Sequence, residues 1–85
     1  MKAKTMFKNL QYEYSYVDGV VTNESPYIEC MREYGNNWKL ITFDLNSKTV
    51  YASSGNNGFH VPASLNMDDL EAIMKQCEEL GWKEE

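Results

Sequence analysis

His60 is the only histidine in the chain, so any general base, Cys-His nucleophile or zinc site would have to be built through it. It lies in Gly55-Asn56-Asn57-Gly58-Phe59-His60-Val61-Pro62, a stretch whose glycines and asparagines read as an exposed loop, where functional side chains often sit. The run lacks the Lys-Ser/Thr ending of a phosphate-binding loop and the spacing of a dinucleotide fingerprint. A lone loop histidine is most often a plain surface residue. A small enzyme or ligand binder centred on His60 therefore stands as a rival reading with no motif behind it.

The two cysteines, Cys30 and Cys77, are too few for a disulfide scaffold and too far apart for a metal knuckle, and both read as reduced packing residues. Cys77 falls on the apolar stripe of a helix, where apolar surroundings raise a thiol's pKa and silence it. Cys30 has only Arg32 as a basic neighbour in sequence. No catalytic residue, metal or cofactor is expected.

Carboxylates are the third group. From Asn66 onward, seven acids stand against Lys75 and Lys83, so this segment carries the whole net charge of −5, while Lys2, Lys4 and Lys8 make the start basic. Such an anionic surface can dock on a basic protein, including one that normally holds nucleic acid; solubility is the blander explanation. The candidate partner contacts are the acidic helix face and tail, Asp68, Glu71, Glu78, Glu79, Glu84 and Glu85, together with Asn56, Asn57 and His60 of the loop.

Six tyrosines in 85 residues are unusual, and Tyr12, Tyr14 and Tyr16 share one face of a strand. Exposed, they would form an amphipathic contact surface or a base-stacking platform; covered, they would be core, with hydroxyls at its rim. A nucleic-acid binder using this face with Lys2, Lys4 and Lys8 is the second rival. It is disfavoured because phosphate affinity needs clustered cations and the strand carries Glu13 instead.

The element that positions the acids is a helix over Asn66–Trp82. Asn66 reads as N-cap, Asp69 as the carboxylate of a capping box, and Leu65 with Leu70 as a hydrophobic staple. Met67, Leu70, Ile73, Met74, Cys77 and Leu80 recur at steps of three and four, predicting an inward apolar stripe, with Asp68, Glu71, Lys75, Gln76, Glu78 and Glu79 outward. Gly81 and Trp82 predict a Schellman stop folded back onto Cys77.

Ahead of it, residues 1–9 read as a fraying basic terminus. Leu10 to Val17 alternates as a strand, and Asp18-Gly19 before Val20-Val21 fits a two-residue hairpin turn. Residues 26–34 fit either a helix opened by Ser25-Pro26 or a strand; the strand is preferred because it leads into the turn Gly35-Asn36-Asn37. Trp38–Asp44 and Thr49–Ala52 make a second hairpin about Leu45–Lys48, and 53–58 is an exposed loop.

The expectation is one α+β domain over residues 1–85: an antiparallel meander of about four to five strands with one C-terminal helix packed on one face, the other left to water or a partner. No apolar run approaches the roughly 20 residues of a membrane span. The opening MKAKTMFKNL lacks the apolar block of a signal peptide, which predicts a cytoplasmic protein. The functional expectation is a small acidic non-catalytic binding or regulatory protein acting through a protein partner. A short, acidic, single-domain chain without a catalytic signature has the general look of accessory or inhibitor proteins of phages and mobile elements, an impression from composition alone, and no motif names a family. A homodimer through an exposed sheet edge or an uncovered aromatic face is a further reading.

Overall fold

The computed structural model describes residues 1–19, 25–56 and 59–82, with the backbone alone for 60–62. In chain order it contains α1 (Ala3–Asn9), β1 (Glu13–Val17), β2 (Tyr27–Tyr34), β3 (Asn37–Asp44), β4 (Thr49–Asn56), β5 (Phe59–Pro62) and α2 (Met67–Glu79). The strands form an antiparallel meander in the order β1-β2-β3-β4-β5. The expected α+β class holds, with two helices rather than one.

Period-two alternation sorts the strands into two faces. The register aligns Tyr14, Cys30, Ile41 and Ala52 in one row and Tyr16, Ile28, Phe43 and Val50 in the next. Ile28, Cys30, Ile41 and Phe43 are buried in one cluster with Phe7 of α1 and Ala72 and Ile73 of α2, so both helices cover this face. The opposite face carries Tyr27, Glu29, Met31 and Glu33 of β2 against Asp44, Thr42, Leu40 and Trp38 of β3.

The start of the chain, expected to be irregular, forms the short helix α1. Ala3 and Phe7 are fully buried, and the Phe7 ring meets Tyr12 and Phe43 edge-on, with centroids 5.6 and 6.0 Å away. The Lys2 N-cap offers no side-chain cap, but the Ala3 N–H donates to Glu79 Oε2 at 2.8 Å, so a carboxylate from α2 closes the end of α1. The opposite end closes with Tyr12 N–H donating to the Phe7 carbonyl and Gln11 in the left-handed region at φ 73°. A seven-residue helix is too short to announce itself by periodicity, and its stop carries no glycine.

Consequently the first strand begins at Glu13 rather than Leu10. Val20 and Val21 lie outside the described residues; β1 is paired by β2, with Val17 opposite Tyr27. Residues 27–34 are a strand, and its partner β3 returns after a turn in which Gly35 takes φ 63°. The hairpin at 45–48 is held by Asp44 Oδ1, which accepts from the Asn46 and Ser47 N–H groups at 3.0 and 3.1 Å.

The expected loop over 53–58 is instead largely sheet: β4 runs on to Asn56, and β5 pairs with it, Phe59 opposite Asn56 and His60 opposite Gly55. Asn57 and Gly58 lie outside the described residues. A strand of small polar residues shows no hydrophobic alternation, yet its backbone is fully usable for pairing. Gly55 sits under the Trp38 indole across the β3–β4 pair, where a Cβ would collide with the ring.

Candidate functional site

α2 starts and stops where its sequence signals place it. Asn66 Oδ1 accepts from Asp69 N–H at 2.8 Å, and Asn66 N–H donates to Asp69 Oδ2 at 3.2 Å, completing the capping box. At the far end Trp82 N–H donates to the Cys77 carbonyl and Gly81 N–H to that of Glu78, the paired bonds of a Schellman motif. Trp82 packs near Phe43.

The face α2 turns inward overlaps the expected stripe only at Ile73, Cys77 and Leu80. Asp69, Ala72, Ile73 and Gln76 are buried, with Cys77 and Leu80 partly so, while Met67, Leu70 and Met74 are 68%, 38% and 50% exposed. On a helix of 3.6 residues per turn this is a rotation of roughly 100°, one residue step. Leu65 packs against the core, but its expected staple partner Leu70 lies on the outer side.

Polar partners supplied by the rest of the chain account for the rotation. The Asp69 carboxylate, 1% exposed, accepts from Tyr12 Oη at 2.9 Å and Lys39 Nζ at 2.7 Å, and Lys39 also donates to the Ser64 carbonyl. Burial alone would raise the Asp69 pKa, but the Lys39, Tyr12 and Asn66 bonds outweigh it and hold the carboxyl below its ordinary value. Gln76 Oε1 accepts from Tyr14 Oη at 2.6 Å. Tyr12 and Tyr14 are therefore stitched to α2, and the tyrosine face is core with its hydroxyls at the helix; Tyr16 is exposed.

What the rotation leaves outside is an apolar strip, Met67, Leu70 and Met74, continued by Met6 of α1. It forms a shallow groove of about 330 Å³ bordered by Glu71, Lys75 and Glu78, with Asp68 near its α1 end. Glu78 lies 3.5 Å from Lys75 across one turn of an exposed surface, a weak contact.

The expected partner residues thus divide. Asp68, Glu71 and Glu78 come together around the strip. Glu79, although exposed, is engaged as the cap of α1, a structural role that sequence spacing could not show. Asn56 ends β4 and His60 belongs to β5, neither in a free loop; Asn57, Glu84 and Glu85 lie outside the described residues.

Cys30 on β2 and His60 on β5 are separated by two intervening strands, roughly 14 Å at the usual strand spacing. Burial pushes the Cys30 thiol up to about 12, with the Glu29 carboxylate adding to the shift; Cys77 is also raised by burial. Among the described residues no cluster of histidine, cysteine or carboxylate side chains could hold a metal ion, and no helix is long and apolar enough to cross a membrane.

The second surface is the open face of the sheet. Two hollows lie on either side of Leu40: one of about 470 Å³ lined by Ser25, Tyr27, Glu29, Thr42, Asp44 and Tyr51, and one of about 390 Å³ that includes Met31, Glu33 and Trp38. The signal that could have found it is the parity of β2 and β3, whose odd and even positions respectively gather aromatic and acidic residues on one side. Compared with protein-family models, curated proteins and solved structures, the chain matches none.

Proposed function

We propose that this chain is a small, acidic, non-catalytic binding or regulatory protein of the cytoplasm that acts by docking the outer face of α2 on another protein, in the manner of an accessory or inhibitor protein of a phage or mobile element. The observation that carries the reading is the strip Met67, Leu70 and Met74, left outside although helical spacing alone would bury it. Burying such a side chain from full exposure is worth roughly 1.5–3 kcal/mol, and with 68%, 38% and 50% of the three still exposed a partner covering them gains on the order of 2–5 kcal/mol. Methionine adapts its shape to the surface it meets. The border of Asp68, Glu71 and Glu78 calls for lysine or arginine around an apolar ridge on the partner, which steers encounter and sets register. The non-catalytic part of the reading is supported by the raised pKa values of both thiols and by the separation of Cys30 from His60.

The test is affinity capture from the native host by the wild-type chain, compared with a Leu70→Ser/Met74→Ser variant and a Glu71→Lys/Glu78→Lys variant. Circular dichroism melts are used to establish that the variants are folded. The proposal expects a partner retained by the wild type and lost by both folded variants. A partner retained equally by all three would overturn it, as would the lack of any specific partner.

A further inference from the structure

We infer that the open face of the sheet is a second docking surface, shaped for an extended basic segment of a protein, with an arginine or lysine side chain in each of the hollows flanking Leu40. Four carboxylates stand on this face by strand register, Glu13, Glu29, Glu33 and Asp44, and among its described residues there is no lysine or arginine. The cations of the same strands, Arg32 and Lys39, fall at the opposite parity. There Lys39 is paired with Asp69, and Arg32 lies 5.6 Å from the Tyr34 ring centroid.

Glu29 is a partly buried residue, and among the described residues no lysine or arginine forms an ion pair with it. Asp44 spends Oδ1 on the turn amides of Asn46 and Ser47. Between these carboxylates, Tyr27 and Tyr51 supply aromatic walls, and in the other hollow Trp38 stands beside Glu33. Carboxylate with aromatic surface is the pairing that holds guanidinium and ammonium groups, one by charge-assisted hydrogen bonds and the other through the ring's negative face. The larger hollow, about 470 Å³, falls within the roughly 300–1,000 Å³ typical of small-ligand sites.

Spacing limits the occupant further. Glu29 and Glu33 lie on one strand four residues apart, about 13 Å along it. An extended peptide alongside presents its own positions i and i+4 at the same interval and on the same side. The preferred segment therefore carries cations four residues apart.

The probe is the peptide acetyl-Arg-Gly-Ser-Gly-Arg-amide, titrated into isotope-labelled protein and followed by amide chemical shifts, with the two arginines replaced by glutamate as control. Two variants of equal net charge are compared, Glu29→Gln/Glu33→Gln on the sheet and Glu71→Gln/Glu78→Gln on α2, each with an unchanged melting temperature. The inference expects saturable shifts over 27–33, 38–44 and Tyr51, no binding of the glutamate peptide, and an affinity loss of about fivefold or more in the sheet variant against less than about twofold in the helix variant. Shifts confined to α2, equal losses in the two variants, or no saturable binding by the arginine peptide would each overturn it. Because the α2 variant is the control here, failure of this face leaves the docking of α2 standing, and the reverse.

Discussion

Replacing Asp69 with alanine removes a carboxylate that is 1% exposed and meets three donors: Lys39 Nζ, Tyr12 Oη and the Asn66 N–H. Lys39, itself only 12% exposed at its side chain, would keep the Ser64 carbonyl but lose its counter-charge, and the buried Tyr12 hydroxyl would lose its acceptor. Breaking one side of a buried pair costs about 3–5 kcal/mol, and an orphaned buried hydroxyl about 1–3 kcal/mol. These overlap, so about 4 kcal/mol is expected from a domain whose size suggests a total of roughly 4–13 kcal/mol. Met74→Ala, on the exposed strip, should change stability by less than about 0.5 kcal/mol. Urea unfolding followed by circular dichroism measures both. Hydrophobic periodicity alone ranks the two substitutions the other way round, so the pair decides which face of α2 is inward. An Asp69→Ala protein within about 1 kcal/mol of wild type, with Met74→Ala costing about 2 kcal/mol or more, would refute the observed rotation. If Asp69→Ala does not fold, Lys39→Met/Asp69→Leu supplies the second measurement: replacing both charges with apolar groups should recover much of the loss.

Asp69 on the acid side and Cys30 on the alkaline side, where Tyr12, Tyr14 and Cys77 are raised by burial as well, give pH-dependent tests. The Asp69 pKa is lowered on folding, so its contribution is fully present above the unfolded carboxyl value near 3.9 and is lost as pH falls below that through the folded value; acid unfolding should lose this component in Lys39→Met. Cys30 is raised from 9.0 to about 12, so its contribution is complete below pH 9 and declines above it, by about 1.4 kcal/mol per pH unit; Cys30→Val should reduce the alkaline slope in pH-dependent urea titrations by that component, leaving the part due to Tyr12, Tyr14 and Cys77. Gly55→Ala should cost about 1–3 kcal/mol by driving a methyl into the Trp38 ring, seen as a lowered urea midpoint with changed tryptophan emission. Glu79→Gln should weaken the cap of α1 by about 0.5–1 kcal/mol and speed amide exchange at Ala3, whereas the neighbouring Glu78→Gln should do neither.

The chain's local chemistry set its boundaries. Asn66 and Asp69 close the start of α2 because cap and carboxylate are three residues apart, and Gly81 stops it because that position needs positive φ, observed at 75°. Alternation made β2 and β3 legible, and the turn residues after Asp44 placed the hairpin between β3 and β4. Helical spacing placed Asp68, Glu71 and Glu78 on the outside of α2, where they are exposed. Each of these depends on residues a few positions apart, which is the range over which a sequence declares its own geometry.

Tertiary structure decided the rest, because the partners are distant in the chain. Asp69 and Gln76 turned inward since Lys39, Tyr12 and Tyr14, thirty or more positions away, offered bonds that no pattern within α2 could reveal, and Met67, Leu70 and Met74 were displaced to the surface. α1 exists as a packed element because Phe7 enters the sheet's core and Glu79 caps its start. Ser53–Asn56 became strand because β3 offered it a backbone to pair with. Even the two candidate docking faces divide this way: the residues were written in the chain, but which of them remained uncovered was settled only when the helices chose one side of the sheet and α2 its angle upon it.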